Sequence, residues 1–452
     1  LFYKQTTDSY FMTILVRYGE IALKGPRVRA SMENVLIRNL KAVLPATATF
    51  RKEPGRIFIE NVDDLTPVTK TFGVVSASIV QKISNEYATI EQTVLASAKE
   101  LKGTFAVRSR RMKSYPLTSQ ELDKQLGAAV VKNTNLTVNL SKPDTTIHIE
   151  VRDKNAYVFT NIAPGVGGLP AGTQGKVLML FSGGFDSPVA AWRLAKRGCE
   201  LTFLFYNPIG PALTEDVVAV YRELITKWHF PNTKLLMVDG QDITKHIEKT
   251  VPDRLKQVVF KRALYRIAEA VANQEHCVAI GTGESLGQVS TQTMTNLAVI
   301  EEAITLPVHR PLLAFDKTEI IHAAREIGTH DASEKVKEFC NITQQHATDK
   351  ATLEEVRVVE PAFSFDTIQT MPLSATLPAQ DYRPKSLTGM EIIPIAAAKY
   401  DLAPYLKKGK QYCIVCPIGV ESKHVAARWR TLGFDVYACS QKEYEKLKAP
   451  SQ

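Results

Sequence analysis

The chain has 452 residues, 44% hydrophobic and 23% charged, a composition that excludes a disordered or fibrous polymer and leaves room for several cores. No apolar run approaches the roughly 18 residues of a membrane-crossing helix, which excludes a helical membrane span. A net charge of +9 favours an anionic partner, nucleic acid first, without saying which.

The opening LFYKQTTDSYF lacks the apolar core of a signal peptide, and residues 1–11 carry no weight below. Residues 12–65 read as a small α+β unit. MTILVRYG is a strand, RVRASMENVLIRNLKAVL has helical apolar spacing, and FRKEPGRIFIE is a hairpin turning at Pro54 and Gly55. Residues 66–165 read as a second α+β unit, with helices at 88–101 and 118–133 and strands at 104–109, 146–151 and 156–162. The Gly- and Pro-rich stretch around 161–176 supplies a linker, placed at 166–176. From Val177 the strands VLMLF, ELTFLFY, KLLMVDG and HCVAIGTG alternate with helical segments. That is the pattern of βαβ units in a doubly wound parallel sheet, assigned to 177–360. The remainder, 361–452, begins irregular and Pro-rich through about 385 and closes in a short α/β unit ending in GFDVYAC.

Three segments carry chemistry in the α/β region. LMLFSGGFDSPVAAW sets Ser182, Gly183, Gly184, Asp186 and Ser187 between a buried strand and a helix start. Glycines there let backbone N–H groups approach a phosphate, and the helix N-terminus favours negative charge. Ser182 and Ser187 offer hydroxyl donors, and Asp186 can hold Mg²⁺ against the same phosphates. Neither a Walker A loop nor a dinucleotide fingerprint is present; a capped Gly-Gly turn is the bland alternative. AIGTGESLGQVSTQT follows a later strand, at the edge where ligands sit in open α/β sheets. HRPLLAFDKTEI brings Arg310, Asp316 and Lys317, and taken alone Asp316 and Lys317 read as a solvated helix start with Asp near the N-cap.

Between Lys102 and Gln120 lie Arg108, Arg110, Arg111 and Lys113, with no acidic residue and with Phe105 and Tyr115 interleaved. Such a strand suits phosphate tracking and base stacking, or is simply a solvated face. Six cysteines, at 199, 277, 340, 413, 416 and 439, are too few and too irregular for a disulfide framework and fit a reducing, cytoplasmic setting. QYCIVCPIGVES invites a metal clip or a redox pair at Cys413 and Cys416. It also has C-x-x-G-x-x-S spacing from Cys416, similar to a rhodanese-type loop, in which backbone N–H groups surround one reactive thiol. In that register Cys416 carries sulfur, Gly419 permits the turn and Ser422 lies near the helix N-cap. Cys413 is then a buried small apolar residue, and Cys199 and Cys277 belong to sheet cores.

The SGG-x-DS loop resembles that of pyrophosphatase-type enzymes, which cleave ATP between the α and β phosphates and adenylate a substrate. With RYGEIALKG, FGVVSAS, FAVRSRRMKSYPLTSQEL, PGVGGLPAGTQGKVLMLFSGGFDSPVAAW and GTGESLGQVSTQT in order along the chain, the sequence resembles the tRNA 4-thiouridine synthases, over most of 12–452. The resemblance implies a multidomain α/β and α+β protein. A ferredoxin-like domain (12–65) and a THUMP RNA-binding domain (66–165) would precede a doubly wound adenylating domain (177–360) and a rhodanese-like sulfur-carrier domain (361–452). It implies that Ser182, Gly183, Gly184, Asp186 and Ser187 bind the ATP pyrophosphate and Mg²⁺, and that Gly281, Thr282 and Gln288 line the nucleotide or acceptor pocket. Lys317 would stabilise the transition state, Arg108, Arg110, Arg111 and Lys113 would hold tRNA, and Cys340 would resolve the Cys416 persulfide. The expected activity is ATP-dependent conversion of a tRNA uridine, at position eight, to 4-thiouridine. Expected partners are tRNA, a cysteine desulfurase, a thiamine-pathway sulfur carrier and a second copy of the chain, with no membrane. Another tRNA-modifying enzyme of the same loop type, or a catalytically silent RNA-binding adaptor, is the alternative. One departure stands out: the family's His- and Ser-rich stretch after the loop reads FLFYNPIGPAL here.

Overall fold

The structure, a computed structural model, describes residues 13–208, 211–336, 347–365, 368–373, 384, 386–394, 406–407, 409–416, 420–431 and 434–448. It forms two compact units, residues 1–170 and 171–452. No helix among the described residues is long and apolar enough to cross a membrane.

In the first unit, alternating apolar residues build strands and amphipathic segments cover one side of them. The elements run β1 (Thr13–Arg17), α1 (Pro26–Val43), β2 (Thr49–Glu53), β3 (Arg56–Glu60), α2 (Thr66–Thr69), β4 (Ser76–Ser84), α3 (Tyr87–Ala98), β5 (Thr104–Arg111), α4 (Ser119–Asn133), β6 (Thr137–Val138), β7 (Thr145–Val151), β8 (Asn155–Phe159) and β9 (Ala163–Pro164). The hairpin at Pro54 and Gly55 forms as expected, with Gly55 at φ +77°. Thr118 and Glu121 cap α4 reciprocally and set its start. All the strands belong to one sheet, ordered β2-β3-β1-β4-β8-β7-β5-β6, with β9 beside β4. β4 joins its halves: 76–80 pairs antiparallel with β1, and 81–84 pairs antiparallel with β8. Ile14, Val16, Ile57 and Ile59 pack under Leu36 and Leu40 of α1. Phe105, Val107, Ile147 and Ile149 pack under Val94 of α3 and Leu122 and Leu126 of α4. Each such buried side chain contributes roughly 1.5–3 kcal/mol. Among the described residues of this unit no helix packs on the opposite face, which has its own small core of Leu15, Phe58, Val80, Tyr157 and Phe159.

The second unit begins with β10 (Lys176–Leu180), α5 (Asp186–Lys196), β11 (Glu200–Asn207), α6 (Pro211–Lys227), β12 (Lys234–Asp239), α7 (Gln241–Thr250), α8 (Asp253–Gln274), β13 (Ala279–Gly281), α9 (Met294–Glu301), β14 (Val308–His309), α10 (Lys317–Ile327), α11 (His330–Ser333), α12 (Leu353–Val359) and β15 (Met371–Leu373). The sheet order is β14-β13-β10-β11-β12-β15. β10 pairs in parallel with both β11 and β13. The chain therefore starts mid-sheet, builds outward one way, then returns to build the other way. Where the order reverses, the loops after β10 and β13 lie side by side, at the position where open α/β sheets bind ligands. One expectation is corrected. β15 lies within the stretch read as irregular, and it runs antiparallel to β12, so the sheet is not wholly parallel. A three-residue strand centred on Pro372 has no period to recognise, and an edge position is where a sheet tolerates proline.

The C-terminal elements are β16 (Met390–Pro394), β17 (Gln411–Cys416), α13 (Val420–Thr431), β18 (Asp435–Ser440) and α14 (Gln441–Lys448). They form a parallel three-stranded sheet, ordered β16-β17-β18. α13 crosses between β17 and β18 and packs against α6.

Candidate active site

The loop after β10 is shaped by Gly183 and Ser187. Gly183 has φ +80°, and a Cβ there would lie 3.2 Å from Val217 Cα of α6, so no side chain fits. Buried Ser187 accepts hydrogen bonds through Oγ from the Ser182 and Gly183 N–H groups, each at 3.2 Å. Ser187 thus holds the loop's curvature, while Ser182 stays exposed and Gly184 half-buried at its outer side.

Asp186 opens α5 and is held from two directions. Lys317 Nζ donates to its Oδ1 at 2.8 Å, and Gln288 Nε2 donates to its Oδ2 at 2.9 Å. Neighbouring Asp316 does something else. Its carboxylate accepts from the Glu319 N–H at 2.8 Å while Glu319 accepts from the Asp316 N–H at 3.0 Å, a reciprocal cap on α10. The bland reading therefore describes Asp316, and Lys317 crosses to Asp186. The Lys317 ammonium also lies 5.6 Å from the Phe185 ring centroid, and the His330 ring lies 5.3 Å beyond.

The segment after β13 packs beside the start of α5. Gly281 is in the strand itself, against Leu194 of α5. Thr282 is buried; its N–H donates to His309 O and its hydroxyl to Glu284 at 3.1 Å. A Cβ on Gly283 would lie 2.9 Å from the Asp186 backbone, so this segment abuts the start of α5. Ser285 Oγ donates to Phe315 O at 2.6 Å and Leu286 N–H to Leu313 O, which ties 281–288 to 309–317.

On the helix-free face of the first unit, Arg108 and Arg110 project exposed from alternate positions of β5. Arg111 points the other way and donates to the carbonyls of Met112, Lys113 and Tyr115, folding the loop that exposes Lys113. Arg17 joins the first pair on that face. One of its terminal nitrogens donates to Ser78 Oγ at 3.0 Å, and its guanidinium sits 4.7 Å from the Phe159 ring centroid. Its other terminal nitrogen, also buried, has no partner among the described residues. Burial lowers the Arg17 pKa to about 10, with Arg56 and Arg110 adding to the effect against Glu150. His148 stacks on Phe159, and burial followed by Arg17, Arg110 and Arg108 lowers its pKa.

The two cysteines of β17 face opposite ways, because residues three apart in a strand must. Cys413 lies in a small core with Val415, Cys439 and Tyr444, its Sγ 3.4 Å from Cys439 Sγ. That hydrogen bond and burial push the Cys413 thiol up. Cys416 ends the strand on the α13 side, 1% exposed. Its Sγ lies 3.2 Å from Ser422 Oγ and accepts from the Ser422 N–H at 3.5 Å, while Ser422 Oγ donates to Cys439 O. Facing opposite ways, Cys413 and Cys416 cannot close on one metal ion from this strand. Cys199 and Cys277 are buried, and burial pushes the Cys277 thiol up to about 11. Cys340 and Gly419 lie outside the described residues.

Residues 172–365 match the family described as thiamine biosynthesis protein (ThiI), 83–161 match the THUMP domain and 13–78 the ThiI ferredoxin-like domain. A tRNA sulfurtransferase of Thermoplasma volcanium is 32% identical over 96% of this chain and 97% of its own length. The chain belongs to the tRNA sulfurtransferase family. A probable tRNA sulfurtransferase of Moorella thermoacetica is 39% identical over 77% of the chain and 93% of its own length. Among solved structures, a 4-thiouridine synthetase in complex with RNA and with bound ATP matches at TM-score 0.69 and 31% identity. That match covers 77% of this chain and 94% of the other.

In this tRNA sulfurtransferase the structure brings Asp186 together with Gln288 and Lys317, 102 and 131 residues away in sequence. It keeps Gly281 and Thr282 in the packing behind them. Arg17 and Glu284 are two further charged residues that the motifs do not single out. The signal for Arg17 was its alternation with Leu15 in ILVRYG; for Glu284 it was a carboxylate inside a ligand-edge segment.

Proposed function

We propose that this tRNA sulfurtransferase adenylates a tRNA uridine, at position eight, and replaces its O4 with sulfur from a Cys416 persulfide, giving 4-thiouridine. The observation that carries the reading is Asp186 held between Lys317 and Gln288 at the point where the strand order reverses. ATP is the first substrate. The loop N–H groups and the N-terminus of α5 receive its phosphates. Uridine O4 attacks the α-phosphorus and pyrophosphate leaves, while Lys317 supplies a fixed cation for the developing charge. A Mg²⁺ ion arriving with ATP needs little more than one carboxylate when phosphates complete its shell. Asp186 fits that need, and the ion would neutralise phosphate oxygens. Arg17, Arg108 and Arg110 offer cations to the tRNA backbone on the helix-free face of the first unit.

Sulfur then attacks C4 and AMP leaves. Cys416 is suited to carry it, because it ends a strand beside a helix start and has the Ser422 N–H and hydroxyl within reach of its sulfur. Breaking the persulfide bond takes two electrons, which Cys340 supplies by forming a disulfide with Cys416. An external thiol reductant returns the disulfide to two thiols, and a cysteine desulfurase then reloads Cys416. Sulfur delivery to a thiamine-pathway carrier, a cytoplasmic setting and pairing of two copies on one tRNA belong to the same reading.

The test is to combine the protein with unmodified tRNA, Mg-ATP, cysteine, desulfurase and a thiol reductant, then measure pyrophosphate and thiouridine absorbance. Asp186→Ala should abolish both products, and Cys416→Ala should abolish thiouridine while pyrophosphate is still released once per tRNA. Normal turnover by Cys416→Ala would sink the persulfide assignment.

A further inference from the structure

The segment after β13 holds a carboxylate that this chemistry does not use. Glu284 is 3% exposed, yet every atom of its head is engaged. Its Oε2 accepts from Tyr265 Oη at 2.6 Å, Arg310 Nε at 2.9 Å and Thr282 Oγ1 at 3.1 Å, and Lys261 Nζ lies 3.5 Å from its Oε1. Burial works to raise the Glu284 pKa, but Lys261, Tyr265 and Arg310 outweigh it and keep the group ionised. Arg310 in turn donates to Glu301 at 2.6 Å and to Tyr265 Oη at 3.1 Å. A buried ion pair is weak evidence for stability, since apolar residues of similar volume often serve as well. Its geometry points to another use.

Two arms reach Asp186. The 281–288 arm delivers Gln288 to one oxygen, and the 309–317 arm delivers Lys317 to the other. Glu284 belongs to the first arm and Arg310 to the second, so their 2.9 Å pair is a charged link between the arms. α8 supplies Tyr265 and Lys261 behind the link and fixes it to the sheet. Gly283 leaves no slack, because it already touches the Asp186 backbone. A shift of Glu284 is therefore felt at all three residues of the adenylation site.

We propose that Glu284 is a positioning residue: paired with Arg310, it sets the spacing of the two arms so that Gln288 and Lys317 meet Asp186 together. The inference rests on the adenylation reading, and the test separates the two.

Pyrophosphate release by the full-length protein with Mg-ATP, unmodified tRNA, cysteine, a cysteine desulfurase and a thiol reductant gives kcat and the KM for ATP, and thermal unfolding is followed in parallel. Glu284→Gln keeps the size and removes the charge. It should lower kcat by about 10- to 100-fold, the scale of a small misplacement of reacting groups. KM for ATP should stay within about twofold, because ground-state binding by the loop N–H groups is retained. In a Lys317→Arg background the same change should cost less than about threefold, since its effect acts through Lys317. Tyr265→Phe removes one donor to the carboxylate, preserves shape, and should lower kcat by about 3- to 10-fold. It decides the question if Glu284→Gln fails to fold. An unchanged kcat in a folded variant, or an equal fold-loss in both Lys317 backgrounds, would overturn the positioning role. A wild-type chain that releases no pyrophosphate would instead overturn the adenylation reading, and this inference with it.

Discussion

The two proposed chemical centres of the second unit are protected in opposite ways. At the loop after β10, Asp186 and Lys317 keep 23% and 37% of their side-chain surface open and are held by opposite charge. Cys416 is 1% exposed, with a neutral hydroxyl and a backbone N–H at its sulfur. The difference follows from what each must handle. Phosphoryl transfer needs fixed charges that a polyanion can reach. A reactive sulfur needs donors without bulk water, which would hydrolyse or scavenge its intermediates.

That contrast predicts separable failures. Cys416→Ser should abolish thiouridine formation and leave the first turnover of pyrophosphate release within about twofold; a parallel fall in both would join the two centres into one. Lys317→Ala should cut AMP release by about 10²- to 10³-fold, the usual loss for one preorganised charge, without altering persulfide loading of Cys416 from a desulfurase. Arg108→Ala with Arg110→Ala should weaken tRNA binding and lower the salt slope by about one per lost phosphate contact. Binding isotherms at several salt concentrations check this, and an unchanged slope removes that face from the RNA site. Cys413→Ala should lower stability by about 1 kcal/mol in denaturant unfolding and leave thiolation intact, which sets it apart from Cys416.

The smallest effect concerns His148. Its folded pKa is depressed, so the unfolded chain takes the proton first. Stability should be full above about pH 6.5 and should fall as pH drops through the depressed value. His148→Gln should flatten thermal melts recorded between neutral and mildly acidic pH.

Much of this was legible from local signals. A strand, two glycines and a helix start around Ser182 announce a phosphate loop, and Thr118 with Glu121 announces the start of α4. What stayed hidden depends on partners distant in sequence. Nothing near Met371 says that it pairs with Met237, nor does anything near Glu284 name Tyr265 and Arg310 as its neighbours. Cys413 was read as an inert core residue, and it is in the core, but its contact with Cys439 is a fact of strand register. The same register decides that Cys413 and Cys416 do not act together.

β4 has a practical consequence for anyone dissecting the protein. The ferredoxin-like match stops at 78 and the THUMP match starts at 83, both inside one continuous strand. Cutting there would leave β1 or β8 with a bare row of N–H and C=O groups, an invitation to aggregate. Fragments meant to isolate either half should each carry residues 76–84, and those that do not should be found in the insoluble fraction.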